Sequence, residues 1–286
     1  MLRDLGLAAM VFCTLGAQTA NAQTAKPKWA LDGTGNFCTL SRTVDDATTT
    51  LSPSAATPTT LVLRTYPGIQ QFNFMVIRST APASLGPSAT MTISFGPSGG
   101  PFVKPVAITP LGPGLGKAIA VNYLPPAFLD AFAGAAQVNV MIGKKSIGSY
   151  AIPNAAKAVE ALRQCESAKL VEWGADPAAF APGGRQAAPV GDPAKWVGYD
   201  DMHFPRDSTA SSAGFAIARL AIDTDGHVAA CDLIDSNGNK GLNAVACKLL
   251  GDRARYEPAR DKDGKAVRSV VLYGTDWRVE VTMTVE

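Results

Sequence analysis

Histidine and charge are what this chain has least of. Only two of its 286 residues are histidines, His203 and His227, and only 17% are Asp, Glu, Lys or Arg. An enzyme needs a nucleophile, a base and a group that orients the base, and two histidines leave few ways to assemble them. His203 precedes Phe204-Pro205 in an expected loop and His227 follows a turn glycine. Neither sits in a catalytic signature, so both read as surface residues. The sequence therefore carries no expectation of an enzyme. A basic excess is missing as well. Residues 23–195 hold 14 Lys/Arg against 9 Asp/Glu and residues 196–286 hold 11 against 14, which excludes the positive field of a nucleic-acid binder and leaves protein or small-ligand partners.

Metal and phosphate motifs are also absent. No close cysteine pairs stand with histidine partners, as zinc sites require. Gly112-Pro113-Gly114-Leu115-Gly116-Lys117 has the wrong glycine spacing for a phosphate loop, and Ala118 stands where Ser or Thr is needed. Asp223-Thr224-Asp225-Gly226 and Asp261-Lys262-Asp263-Gly264 bring glycine too early for calcium loops and lack the closing glutamate, so both read as turns. Asp235-Ser236-Asn237-Gly238-Asn239 could hold calcium weakly, but a polar strand-to-helix connection explains it as well. No cofactor and no metal are expected.

What is present begins with an export signal. Arg3, the apolar stretch 5–17 and the small-x-small site Ala20-Asn21-Ala22 read as a cleavable leader, residues 1–22, removed after Ala22. The stretch is shorter than the roughly 20 residues of a membrane span, and no later run reaches that length. Phe12, beside Cys13, disfavours lipid modification. The expected location is the periplasm, without a membrane span in the mature chain. Four cysteines then remain: Cys38, Cys165, Cys231 and Cys247. An even number in an oxidising compartment implies two disulfides. Three pairings are possible, and the two-by-two distribution of the cysteines favours Cys38 with Cys165 and Cys231 with Cys247.

The chain divides by composition. Residues 174–195, rich in Pro, Ala and Gly, read as an interdomain linker. Before it, residues 28–170 show short alternating runs at 59–66, 71–78, 90–95, 117–124 and 137–142, separated by Pro and Gly, as in a β-sandwich or small barrel. Pro125-Pro126 opens a short helix at 127–135, and Asn154 is the expected N-cap of a terminal helix through Val159, Leu162 and Cys165. The first bridge would tie the first strand to this last helix. In the chain-entropy reading it contributes about 4 to 5 kcal/mol.

After the linker, residues 196–286 follow another pattern. Segments 215–222 and 228–234 flank Asp225-Gly226, whose positive φ angles suit a tight hairpin. A helix from Lys240 places Leu242, Val245, Ala246, Leu249 and Leu250 on one face to cover the hairpin. The second bridge would pin this helix to the sheet, contributing about 3 kcal/mol. A segment at 256–259, a turn at Asp263-Gly264 and one long strand at 267–281 complete the expected α+β chain.

These elements resemble the C-terminal domain of the TonB family. The resemblance rests on Phe204-Pro205, Gly214-Phe215-Ala216-Ile217-Ala218, Ile222 to Val228 around Asp225-Gly226, and Arg253-Ala254-Arg255-Tyr256-Glu257-Pro258-Ala259, in the family's order. It spans about residues 203–281, under a third of the chain; residues 28–170 resemble no recognised family. The resemblance implies a module that pairs its last strand with an extended peptide, the TonB box of an outer-membrane transporter, by β-strand addition. The implied partner-binding residues are Trp277, Arg278, Val279, Glu280 and Val281, where charges alternate with apolar residues. Two departures stand out: the chain has a cleavable leader and a short linker in place of a membrane-anchored spacer, and no counterpart of the family's anchor histidine. The implied protein binds a receptor without a motor connection. The competing expectations are an envelope structural protein that binds no peptide, and a hydrolase with its site in the N-terminal domain.

Overall fold

The computed structural model describes residues 28–44, 58–79, 85–86, 88–112, 116–198, 201, 213–236 and 240–278. Residues 1–22, read as a leader, lie outside them, as do His203 and Phe204-Pro205. The fold is mixed and mostly β, with three α-helices and several antiparallel sheets among the described residues. No helix there is long and apolar enough to cross a membrane.

In the N-terminal region the elements run β1 (Ala30–Asp32), β2 (Cys38–Val44), β3 (Thr59–Thr65), β4 (Phe72–Arg78), β5 (Thr90–Ser94), β6 (Phe102–Pro105), β7 (Ala107–Pro110), β8 (Lys117–Leu124), α1 (Pro126–Gly134), β9 (Gln137–Ile142), β10 (Lys145–Ala151) and α2 (Ala155–Glu172). One sheet has the order β1-β2-β3-β4-β8-β7 and another β10-β9-β5-β6. Alternation along the strands sends Leu61, Leu63, Phe74 and Val76 from the first sheet and Met91, Ile93, Val138 and Val140 from the second into one buried core. Proline at the first turn sets α1, which inserts Phe128 and Phe132 there. Phe128 meets Phe95 and Phe102 edge-on at 5.4 Å each, and such contacts contribute about 0.5 to 1.5 kcal/mol beyond area.

Asn154 stands before α2 but does not cap it with its side chain. Its φ of 59° and ψ of 27° place it in the left-handed region, which asparagine tolerates better than most residues, so it serves as a turn residue. The Cys38–Cys165 bridge forms with its Cα atoms 6.1 Å apart and ties α2 to the second strand, not the first.

The remaining elements are β11 (Ala188–Pro189), β12 (Ala213–Ile222), β13 (Val228–Ser236), α3 (Lys240–Arg253), β14 (Tyr256–Glu257), β15 (Ala259–Arg260), β16 (Ala266–Val267) and β17 (Ser269–Arg278). The principal sheet here has the order β13-β12-β17. Ala216, Ala218, Leu220 and Ile222 of β12 pack against Leu250, Ala254 and Tyr256 beneath α3. The helical stripe is narrower than periodicity suggests: Val245 is exposed, and the described buried positions of α3 are Asn243, Ala246 and Leu250. Cys231 and Cys247, with Cα atoms 5.7 Å apart, join β13 to α3.

The β12–β13 turn departs from the expected two-residue form. Only Gly226 has positive φ, 85°, and the loop is closed by Asp223, whose Oδ1 accepts the N–H groups of Asp225 and His227 at 3.0 and 2.8 Å. Those hydrogen bonds hold the Asp223 carboxyl below its ordinary pKa, with the His227 amide the largest cause. The expected single last strand is broken at Arg268, between β16 and β17, where its carbonyl accepts the N–H of Asp176 at 3.0 Å.

That bond belongs to a larger correction. Residues 174–195, which read by composition as a linker, are strapped onto the C-terminal region. Arg185 exchanges two hydrogen bonds with Arg260, both 2.8 Å, and β11 pairs with β14. Aspartates at 176 and 192 each cap a 3-10 turn through the amide two residues on. The abundant Pro and Ala do not prevent this, because short bridges and turns need few amides.

Candidate functional site

The implied binding surface is the last strand, and β17 occupies an edge. Among the described residues it pairs with β12 alone, from Ala213↔Arg278 to Ile222↔Ser269, ten pairs without a shift. Trp277 and Arg278 therefore lie in the strand, opposite Gly214 and Ala213. Val279, Glu280 and Val281 lie outside the described residues.

Both faces of the sheet are occupied. Val271 and Tyr273 join the core under α3. On the other face Val270 packs with Leu170 and Ala175 at the end of α2. The β3–β4 loop comes down over the strand at Leu272: a Cβ on Gly68 would lie 3.7 Å from the Leu272 nitrogen. The N-terminal region thus buttresses β17, and the same loop reaches Gly274, where a Cβ would lie 3.8 Å from the Ile69 side chain.

The outer edge borders open space. A groove of about 760 Å³ has Val270, Val271, Leu272 and Tyr273 on one side and strap residues, including Gln186 and Ala187, on the other. Four consecutive strand residues alternate between faces, so a groove that all four line follows the edge rather than one face. The Tyr273 hydroxyl donates to the Pro193 carbonyl at 2.9 Å, and burial raises its pKa. A second cleft of about 780 Å³ meets this groove at Leu272 and Tyr273 and reaches the N-terminal region at Asn73 and Asn122.

At the seam of the two regions, Tyr66 donates to the Asp235 carboxylate, and Asn36 Nδ2 donates to the Ile234 carbonyl at 2.6 Å. Burial, with the Asp235 hydrogen bond second, raises the Tyr66 pKa. Asp235 is thereby engaged in a contact between regions, and Ser236 accepts from Asn243 at 3.0 Å; residues 237–239 lie outside the described set. Nearby, Glu166 lines a smaller cavity of about 340 Å³ with Leu129 and Phe180. Burial pushes its carboxyl up to about 7, against the opposing influence of the Thr65 hydroxyl, which donates to it at 3.1 Å.

His227 is exposed in a bridge to Arg255, and its main-chain N–H donates to Asp223 Oδ1 at 2.8 Å in the β12–β13 turn. Sequence reasoning placed the edge strand but missed its buttress of Gly68 and Leu170, which no local pattern reveals. Comparison with family models, with curated proteins and with solved structures found no match for this chain.

Proposed function

We propose that this chain is a periplasmic TonB-like protein, with a β-sandwich N-terminal domain, that binds an envelope partner by β-strand addition to the outer edge of β17. The partner this reading favours is a TonB-dependent outer-membrane transporter, offering an extended periplasmic segment. The observation that carries the reading is the ten-pair, unshifted register of β17 with β12, combined with an outer edge that has no strand partner among the described residues and borders a groove. Main-chain groups supply the affinity in this mode, and pockets for alternate side chains supply selectivity. The hairpin, helix and closing edge strand follow the order that the resemblance implies. The two disulfides fit a chain exported to an oxidising compartment.

Adjacent amides of a strand point to opposite edges, so Thr275→Pro and Asp276→Pro together test the mechanism. One variant should lose an outward donor and with it the binding of a synthetic peptide copying a transporter's TonB box, while circular dichroism stays native. The other should break the ladder with β12 and destabilise the sheet. Arg278→Ala should change affinity less than about fivefold. Undiminished peptide binding in both proline variants, or no hydrogen-exchange protection of residues 273–278 at saturating peptide, would overturn strand addition and leave the structural reading.

A further inference from the structure

The cleft between the two regions has a composition that peptide pairing does not use. None of the fifteen residues lining its roughly 780 Å³ is charged, and four of them are carboxamides: Gln70, Gln71, Asn73 and Asn122. A charged ligand entering here would lose water without gaining a counter-ion, which is costly. A wholly apolar ligand would cover the carboxamides and leave them unsatisfied, at a penalty for each. The lining fits a neutral ligand rich in groups that both donate and accept, because each carboxamide does both. The volume lies within the range of small-molecule sites.

A second observation concerns how the N-terminal wall is made. The β4–β8 ladder shifts between Phe72↔Leu124 and Phe74↔Val121, so Asn122 and Tyr123 together oppose Asn73. This is a β-bulge, a device that re-aims side chains. Tyr123 holds it with φ 60°, a conformation that an L-residue with a bulky side chain rarely adopts. All three residues of the bulge line the cleft, and Tyr123 is 53% exposed. β7 pairs with β8 from Lys117 to Ala120, and the bulge lies past the end of that pairing. Across the cleft Gly274 leaves a notch against Ile217: a Cβ there would lie 3.3 Å from the Ile217 side chain.

We propose that this cleft binds a short neutral oligosaccharide. Its hydroxyls alternate donors and acceptors that the carboxamides match, and the apolar face of a pyranose ring stacks on the exposed Tyr123 ring. The site meets the β17 groove at Leu272 and Tyr273 but is otherwise built from the sheet face at Ile217 and Gly274 and the bulge of the N-terminal wall, so variants of Asn122 and Tyr123 test it apart from the peptide reading.

Isothermal titration of the full chain tests it, with triacetylchitotriose and cellotriose as neutral probes and tri-galacturonate as the acidic one. A neutral trisaccharide should bind saturably and the acidic one should not. Asn122→Ala and Tyr123→Ala should each weaken binding about tenfold, while Tyr123→Phe, which keeps the ring, should stay within about threefold. If Tyr123→Ala does not fold, Asn122→Ala, an exposed side chain, decides alone. Failure of both neutral probes to bind at millimolar concentration, tighter binding of the acidic probe, or affinity unchanged by Asn122→Ala would overturn the proposal. Displacement of the sugar by a transporter peptide whose binding itself depends on Asn122 would transfer the cleft to the peptide and overturn it too.

Discussion

The two edges of the β13-β12-β17 sheet are built differently. Against β12, the β13 register shifts twice, between Ile217 and Ala218 and between Ala221 and Ile222, whereas that of β17 never shifts over ten pairs. Ile234 falls in the first irregularity, and its carbonyl is taken by the Asn36 side chain; Tyr66 holds the next residue, Asp235. Bulges and covering contacts are the usual means by which proteins blunt an edge against unwanted pairing. One edge of this sheet carries both devices, while the other keeps a straight ladder beside a groove. The contrast supports the proposed reading, in which the β17 edge is the receptive one.

The strongest perturbation of the blunted side should be Gly226→Ala in the β12–β13 loop. The loop at Asp261 to Lys265 is an internal control, since Asp261 Oδ1 accepts from Asp263 and Lys265 at 2.9 Å each and Gly264 has φ 80°. At Gly226, however, an added Cβ would lie 1.8 Å from the Tyr256 carbonyl oxygen, whereas at Gly264 nothing lies within 4 Å. Gly226→Ala should therefore cost about 3 kcal/mol or more, since backbone must move. Gly264→Ala should cost about 1 kcal/mol, from conformation alone. Equal melting shifts in the two variants would remove the distinction.

A smaller effect belongs to the buttress near β17. The folded pKa of Glu166 is raised from 4.5 to about 7, so the native state holds this proton more tightly than the unfolded chain. Stability from this group is complete below pH about 4.5 and falls as pH rises, until the loss is full above about 7. Glu166→Gln should remove that slope and stabilise the protein at pH 8 by about 1 to 3 kcal/mol. Little difference should appear at pH 4, and denaturant titrations at the two pH values give the answer; an equal shift at both would mean that burial does not govern this carboxyl.

The smallest expected effect is Asn36→Ala, which leaves the Ile234 carbonyl without its side-chain donor and should cost about 1 kcal/mol. Its signature is local: amide exchange should quicken along β13 and stay unchanged along β17. Faster exchange at both edges would mean that they are not independently held.

Long regular elements were legible in the sequence and contacts between regions were not. β8 and β9 have the bounds their alternation suggests, and α3 starts at the expected Lys240. β1, β6 and β7 are too short to show a period, and Gly148 interrupts the pattern of β10. In β2 the alternation begun by Cys38 and Leu40 fails at Arg42, whose guanidinium lies over Trp29 at 5.8 Å. The edge strand could be read from its hydrophobic run, but its start at Ser269 depends on the Asp176 amide reaching Arg268. The carboxamides of the cleft sit on a loop and two strands, and the β4–β8 bulge sets Asn122 opposite Asn73.

The order of the bridges bears on how the chain matures. Cys38 pairs with Cys165 and Cys231 with Cys247, so each partner is the next cysteine along, once Cys13 of the expected leader is set aside. A chain is made from its N-terminus and its domains fold as units in that order. When Cys165 emerges, Cys38 is the only earlier thiol outside the expected leader, and the native bond is the first that can close. When Cys247 follows, Cys231 is again the single thiol waiting. Each oxidation has one choice, so the native set can be reached without the exchange of mispaired sulfurs that crossed connectivities require.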